Sequence, residues 1–291
     1  MIRSRANQVD IPAPVTAAIL ALVHSNLLIS LSTMSVALST MLLADLQPRA
    51  VPLFIVFAVT LFVYSFNRFT DLAEDEQNVP RRANFIERHG RALLAVGLVL
   101  YLAATVVAVI QNVPGAPAMG IPLLVAVLYS VVGLKRVLLV KNLLVGLSWG
   151  LIPLGVGVYY EALWTTDVLF MCAFVTTVLT IAAVVFDIKD IEGDRAEGIR
   201  TLPVVVGPRV TRHLAAGATA VVGFAVGCLV LAGPLCPEYS LLGPFLVYML
   251  CYSLLAREDR TPLFYGFVID VEHTLLALLL LAADHGADLL G

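Results

Sequence analysis

Long apolar stretches alternate with polar connections along the whole chain, and the connections are of two kinds. Nine apolar segments cover roughly residues 16–43, 51–66, 92–110, 119–133, 143–160, 167–186, 214–231, 241–255 and 264–283. Each is about long enough to cross a ~30 Å hydrocarbon layer at a helical rise of about 1.5 Å per residue. The connections at 111–117 (QNVPGAP) and 233–240 (GPLCPEYS) are short, rich in Pro and Gly and almost uncharged, as simple turns are. Those at 67–91 and 187–212 are longer and crowded with charge, and function more often sits on the elaborate face. The pattern predicts an all-α integral membrane protein of nine transmembrane helices, one domain over residues 1–291.

Composition agrees with that pattern. Of 291 residues, 60% are hydrophobic and 13% charged, and the mean hydropathy of +0.94 lies outside the range of a soluble domain. With the amino terminus cytoplasmic, seventeen of the eighteen Lys and Arg residues fall on the inside and only Arg49 falls outside. This positive-inside sorting requires an odd number of crossings and turns both charged connections toward the cytoplasm. The leading MIRSRANQVDIPAP precedes an apolar stretch too long for a signal-peptide core, which predicts an uncleaved first helix. Cys172, Cys228, Cys236 and Cys251 show no CxxC spacing and define neither a zinc site nor a disulfide framework. A net charge of −3, with bases and acids mixed in short loops, argues against nucleic acid as a partner.

The charged connections carry a repeated motif. Asn67, Asp71 and Asp75 fall at i, i+4 and i+8, and Asp187, Asp190 and Asp194 at i, i+3 and i+7. At about 100° per residue each set lies on one helical face. Like charges stacked on a helix repel, so two such ladders at a membrane boundary call for a positive group between them. Carboxylates without His or Cys select hard cations, and Mg²⁺ takes one or two of them and completes its shell with phosphate oxygens. A Mg²⁺-bound diphosphate between facing ladders follows, with Asp71, Asp75, Asp187, Asp190 and Asp194 as candidate metal ligands and nearby Arg and Lys as direct phosphate contacts.

These residues resemble the UbiA superfamily of intramembrane prenyltransferases. The run NRFTDLAEDEQNVPRR looks like its first signature, with Asn67, Asp71, Asp75, Asn78, Pro80 and Arg82 in place. DIKDIEGDRAEGIRTLPVVVG is similar to the second, through Asp187, Asp190, Asp194, Arg195, Gly198 and Thr201-Leu202-Pro203. LYSVVGLKRVLLVKNLLVG resembles the segment between them. Two departures stand out: Arg68 where many members carry Asp, and Arg82-Ala83-Asn84-Phe85 where many carry an Arg-Pro-Ile-Pro-type run.

The resemblance implies nine helices around a central cavity and Mg²⁺-dependent transfer of a prenyl group from an isoprenyl diphosphate to a lipophilic or aromatic acceptor within the lipid. It implies Asp71, Asp75, Asp190 and Asp194 as catalytic carboxylates, with Asn67, Arg82, Lys135, Arg136, Asp187 and Asp270 in substrate binding. Tyr64, Phe66, Phe69 and Tyr129 lie near the level where aromatic faces steady an allylic cation, although aromatics at helix ends are commonly interface anchors. Deeper polar spots occur at His24 with Asn26 and at Asp270 with Glu272 and His273. If the first and last helices are neighbours, these flank the acceptor, with Asp270 or His24 as base, or they merely lock the ring. A related terpene cyclase would ionise the same donor without a second substrate. A cation transporter should instead place its carboxylates near the midplane on broken helices.

Overall fold

The computed structural model describes residues 12–70, 72, 80–124, 139–196 and 198–290. Within them the chain is helical and contains no strand. The principal helices are α1 (Ala13–His24), α2 (Leu27–Leu43), α3 (Ala50–Thr70), α4 (Pro80–Ile110), α5 (Val140–Tyr159), α6 (Thr166–Phe186), α7 (Ile191–Ala196), α8 (Leu202–Val206), α9 (Pro208–Leu231), α10 (Leu242–Leu255) and α11 (Glu272–Leu290). Short 3-10 turns cover Ala116–Met119, Asp187–Asp190 and Pro237–Leu241, and a π-helical turn at Phe264–Ile269 leads into α11.

Among the described residues seven helical spans are long and apolar enough to cross a membrane, or eight when the bent pair α1 and α2 counts as one. Eight of the nine apolar segments are matched by these spans. The fourth, at 119–133, falls largely outside the described residues.

The first segment departs from expectation. It is two helices meeting at 66°, with Asn26 between them at φ 62°. Asn tolerates this left-handed conformation better than other residues with a Cβ, and its side-chain amide donates to Ser65 Oγ at 3.4 Å.

The interior is mostly apolar, with a line of buried hydroxyls on α2, and the outside is apolar as well. On α2, Ser30, Ser32, Thr33, Ser35, Ser39 and Thr40 are buried while Leu31 is exposed. On α4 the exposed large hydrophobic side chains are Val96, Leu98, Val99, Leu102, Val106, Val109 and Ile110, an apolar surface that faces lipid.

As the interior helix, α2 touches α3, α5, α6 and α11. Its hydroxyls bridge outward. Thr33 donates to Thr60 Oγ1 of α3 at 2.9 Å, and Ser32 donates to the Asp270 carbonyl at 2.6 Å. Ser35 pairs with Thr274 of α11 at 3.4 Å. The first and last helices are thus neighbours, as a closed ring requires.

The α5–α6 contact fixes the site most directly. A Cβ on Gly146 would lie 2.1 Å from Thr180 Oγ1, and one on Gly150 would lie 2.0 Å from Thr176 Oγ1. Only glycine permits this approach, which lets the two backbones pack closely as small residues do between membrane helices.

Candidate functional site

The second ladder begins where α6 ends. Helix α6 runs to Phe186 and tightens through Asp187–Asp190 before α7 resumes at Ile191. In a 3-10 turn residues i and i+3 eclipse, so Asp187 and Asp190 stack. Asp194, four residues further along α7, returns to nearly the same face. The three carboxylates feel one another, and Lys141 lies within reach of Asp194 as well.

Each carboxylate has its own anchoring. Asp187, only 2% exposed, accepts from Lys141 Nζ on Oδ1 and from Asn142 Nδ2 on Oδ2, both at 2.8 Å. Asp190 accepts from Lys189 Nζ at 2.5 Å, and that ammonium sits over the Phe186 ring. Asp194 accepts from Thr201 Oγ1 at 3.0 Å.

The loop between α7 and α8 is shaped for that last contact. Ile199 N–H donates to the Asp194 carbonyl at 2.8 Å, and Gly198 takes φ 71°. A left-handed residue closing a helix this way is the common place for glycine. The Gly198 and Thr201 positions of the second signature therefore act through Asp194: one turns the chain and the other holds the carboxylate.

From the opposite half, Asn67 and Arg68 lie in the last turn of α3 and Arg82 in the first turn of α4, all partly buried. Arg68, Lys189 and Arg82 all act electrostatically on Asp270, the residue that ends the π-helical turn. Side chains from α3, α4, the Asp187–Asp190 turn and the last span thus share one mouth. Asp71, Asp75, Lys135, Arg136 and Tyr129, expected at this mouth, lie outside the described residues.

Other expectations resolve individually. Tyr64 faces inward and accepts from Trp149 Nε1 at 3.1 Å. Phe66 packs near Phe62, whereas Phe69 is exposed, as an interface anchor would be. His24 lies against the Phe85 ring at 5.7 Å. Sequence alone does not single out Lys141 and Asn142, because the positive-inside rule accounts for a Lys at a helix end and an Asn at a helix start is commonly a cap. Their adjacency in VKN after a basic run was the available signal.

Among the described residues no three His, Cys, Asp or Glu side chains could hold a metal ion on their own. The all-oxygen donor set of Asp190 and Asp194 nevertheless fits Mg²⁺, which takes few protein carboxylates and shares phosphate oxygens. Lys189, which pairs with Asp190 and also faces Asp270, and Arg68 and Arg82, which face Asp270, are suited to those phosphates.

Comparison with known proteins fits this arrangement. Two curated relatives, both digeranylgeranylglyceryl phosphate synthases, align over short stretches. That of Natronomonas pharaonis is 59% identical over 34 residues, 12% of each chain. That of Methanobrevibacter smithii is 34% identical over 83 residues, 28% of this chain and 29% of the relative. These alignments span well under two thirds of either relative's length.

Solved structures match nearly end to end. A UbiA homologue from Aeropyrum pernix K1 has a TM-score of 0.64 at 19% identity, covering 88% of this chain and 98% of the homologue. A UbiA homologue from Archaeoglobus fulgidus bound to GPP and Mg²⁺ has a TM-score of 0.65 at 14% identity, covering 90% and 98%. At these identities the likeness establishes the fold. The model of the UbiA prenyltransferase family matches residues 26–264, so the chain, with its carboxylate mouth and all-helical membrane fold, belongs to the UbiA prenyltransferase family.

Proposed function

We propose that the protein transfers a prenyl group from an isoprenyl diphosphate to a lipid acceptor inside the membrane, using Mg²⁺ at a mouth that faces the cytoplasm. The observation that carries this reading is the meeting of Asp190 and Asp194 with Lys189, Arg68, Arg82 and Asp270 at the end of an apolar bundle. The family resemblance adds Asp71 and Asp75 to this donor set, and Lys135 and Arg136 to the diphosphate contacts together with Asn67 and Asp187. Nine crossings, with the amino terminus cytoplasmic, give the orientation.

Departure of diphosphate from an allylic carbon leaves negative charge on the leaving group and positive charge on the chain. Bound Mg²⁺ supplies Lewis-acid stabilisation of the former. Lys189, Arg68 and Arg82 add donors aimed at the same oxygens. The apolar interior excludes water from the carbon end, and the inward-facing pair Tyr64 and Trp149 offers aromatic faces to a cation. The relatives' name supports an acceptor of the glyceryl phosphate type already carrying one geranylgeranyl chain.

The test is incubation of the purified protein with geranylgeranyl diphosphate, Mg²⁺ and a lipid extract, followed by mass spectrometry of the products. Wild type yields a prenylated lipid only with Mg²⁺, and Asp190→Ala and Asp194→Ala insert normally but lose turnover by at least about 100-fold, within the range for an essential transition-state contact. A prenyl product without a second substrate, or full turnover in both variants, overturns the reading.

A further inference from the structure

Below the mouth lies a second group of polar side chains that the diphosphate does not use. Glu272 and His273, in the first turn of α11, are each 2% exposed. His273 Nε2 stands 3.8 Å from Glu272 Oε1, and its ring packs between Trp149 at 5.5 Å and Phe245 at 5.1 Å. The Tyr252 hydroxyl of α10 is a neighbour of the Glu272 carboxylate without good hydrogen-bond geometry. Glu272 Oε2, His273 Nε2 and Tyr252 Oη are all buried without a hydrogen-bond partner among the described residues.

That combination is costly in a lipid-embedded bundle. A buried polar atom left unmet costs about 1–3 kcal/mol, and intramembrane ionisable residues normally face a partner or a pathway. Along α2 the rule is met at Ser30, Ser32, Thr33, Ser35 and Thr40, which all have hydrogen-bond partners. The other buried atoms without one among the described residues are two neutral hydroxyls, Ser39 Oγ and Ser253 Oγ, and Arg212 Nε, whereas Glu272 and His273 are adjacent, ionisable and share a neighbouring tyrosine. The three unmet atoms therefore mark a place built for a group that arrives.

Their position says which group. Asp270 immediately precedes α11 and faces the mouth cations Arg68, Lys189 and Arg82. Trp149, against His273, donates to Tyr64, which is three residues before Asn67 on α3. The site thus sits about one helical turn, 5.4 Å, below the charged rim, toward the interior of the bundle. A carboxylate oxygen offers a lone pair to an O–H, while the tyrosine hydroxyl and, in its Nε2–H tautomer, the imidazole offer donors to the two lone pairs of that oxygen. An alcohol satisfies all three.

We infer that Glu272, His273 and Tyr252 form the site that takes the acceptor's hydroxyl group and its proton; this rests on the prenyl-transfer reading and deepens it. The acceptor oxygen attacks the first carbon of the donor, the bond from that carbon to the diphosphate oxygen breaks with its electron pair leaving on diphosphate, and a C–O ether bond forms. The hydroxyl proton passes to Glu272 Oε2. Asp270, which faces the cations of the rim, and His24, against Phe85, are placed less well for that role.

The experiment uses the full chain in lipid nanodiscs, with geranylgeranyl diphosphate as donor and synthetic glyceryl phosphate carrying one geranylgeranyl ether as acceptor. Glu272→Gln lowers kcat about 100-fold or more, the range for loss of a general base, while the Kd of a non-reactive thio analogue of the donor stays within twofold. Tyr252→Phe and His273→Phe raise the acceptor KM about tenfold and leave the donor KM unchanged. Glu272→Asp, which keeps the carboxylate, recovers part of the rate and controls for folding, read as thermal stability.

Wild-type kcat in Glu272→Gln, or acceptor and donor KM moving together in the other variants, overturns the inference while leaving prenyl transfer intact. Failure of wild type to prenylate the alcohol, with transfer to a ring carbon instead, removes the alcohol assignment. Failure of all transfer by wild type removes the underlying reading.

Discussion

Substituting Asp187 by Ala would leave the Lys141 ammonium and the Asn142 amide without the carboxylate that both hold at 2.8 Å. Two unit charges at that distance attract by about 6 kcal/mol at an effective dielectric of about 20. Much of this is offset by the cost of removing the ions from water, but that cost remains when only one partner is deleted. Breaking a buried pair by one partner costs about 3–5 kcal/mol. Lys141 keeps 24% of its side-chain exposure and can turn partly toward water, which places Asp187→Ala near the low end, about 3 kcal/mol. For a chain of this size that corresponds to a fall of about 6–12 °C in melting temperature.

A double-mutant cycle separates the pair from its surroundings. Lys141→Met and Asp187→Leu are each destabilising alone, and together they are less so by a coupling of about 2 kcal/mol, within the range for contacting charges. Thermal unfolding in detergent reads the stability and diphosphate release reads turnover. If Asp187 is purely the clasp that positions the ladder, the double variant regains much of the activity lost in Asp187→Ala. If it also binds Mg²⁺, stability returns and turnover does not. Additive effects of the two single substitutions would refute the coupling argument outright.

Gly150→Val places a branched side chain where even a Cβ would sit 2.0 Å from Thr176 Oγ1, so thermal stability falls by about 1–3 kcal/mol through overpacking. In Gly150→Ala, adding Thr176→Ala restores part of the loss, and the same unfolding assay checks both. Asn26→Val forces a β-branched residue to φ 62°, at a cost of about 1–2 kcal/mol, whereas Asn26→Gly stays near wild type. Equal melting temperatures for these two would show that the α1–α2 bend does not depend on left-handed backbone at that position.

Most of the fold was legible because a lipid-exposed helix must be apolar over a fixed length, a constraint that survives without any knowledge of partners. The break at Asn26 was not, since hydropathy sums across residues 16–43 and the polar triplet His24-Ser25-Asn26 barely lowers the total. Only the coincidence of three polar residues with a residue type that tolerates positive φ signalled it. The π-helical turn before α11 left no comparable trace. The Asp ladder was readable from spacing, whether the local helix is α or 3-10, because both geometries bring Asp187, Asp190 and Asp194 near one face. What holds each carboxylate was not readable: Lys141 and Asn142 reach Asp187 through the α5–α6 contact, and that depends on glycines a full turn deeper.

That dependence says why the mouth needs the bundle beneath it. Asp187 follows directly on α6, Lys141 and Asn142 open α5, and the two helices meet through Gly146 and Gly150 against Thr176 and Thr180. A shift of one ångström at the glycines would break two hydrogen bonds of 2.8 Å at the rim, because bonds of this kind weaken steeply beyond ordinary donor–acceptor distances. On the other side, α2 ties α3 to α11 through Thr33 with Thr60 and Ser32 with the Asp270 carbonyl, so Asp270 is held relative to the α3 end that carries Arg68. The acidic rim is therefore set by close helix contacts and hydroxyl bridges located in the lipid layer. Charge placement at the surface and packing in the interior are one property of this chain, and substitutions at small residues far from any phosphate should lower turnover before they prevent insertion.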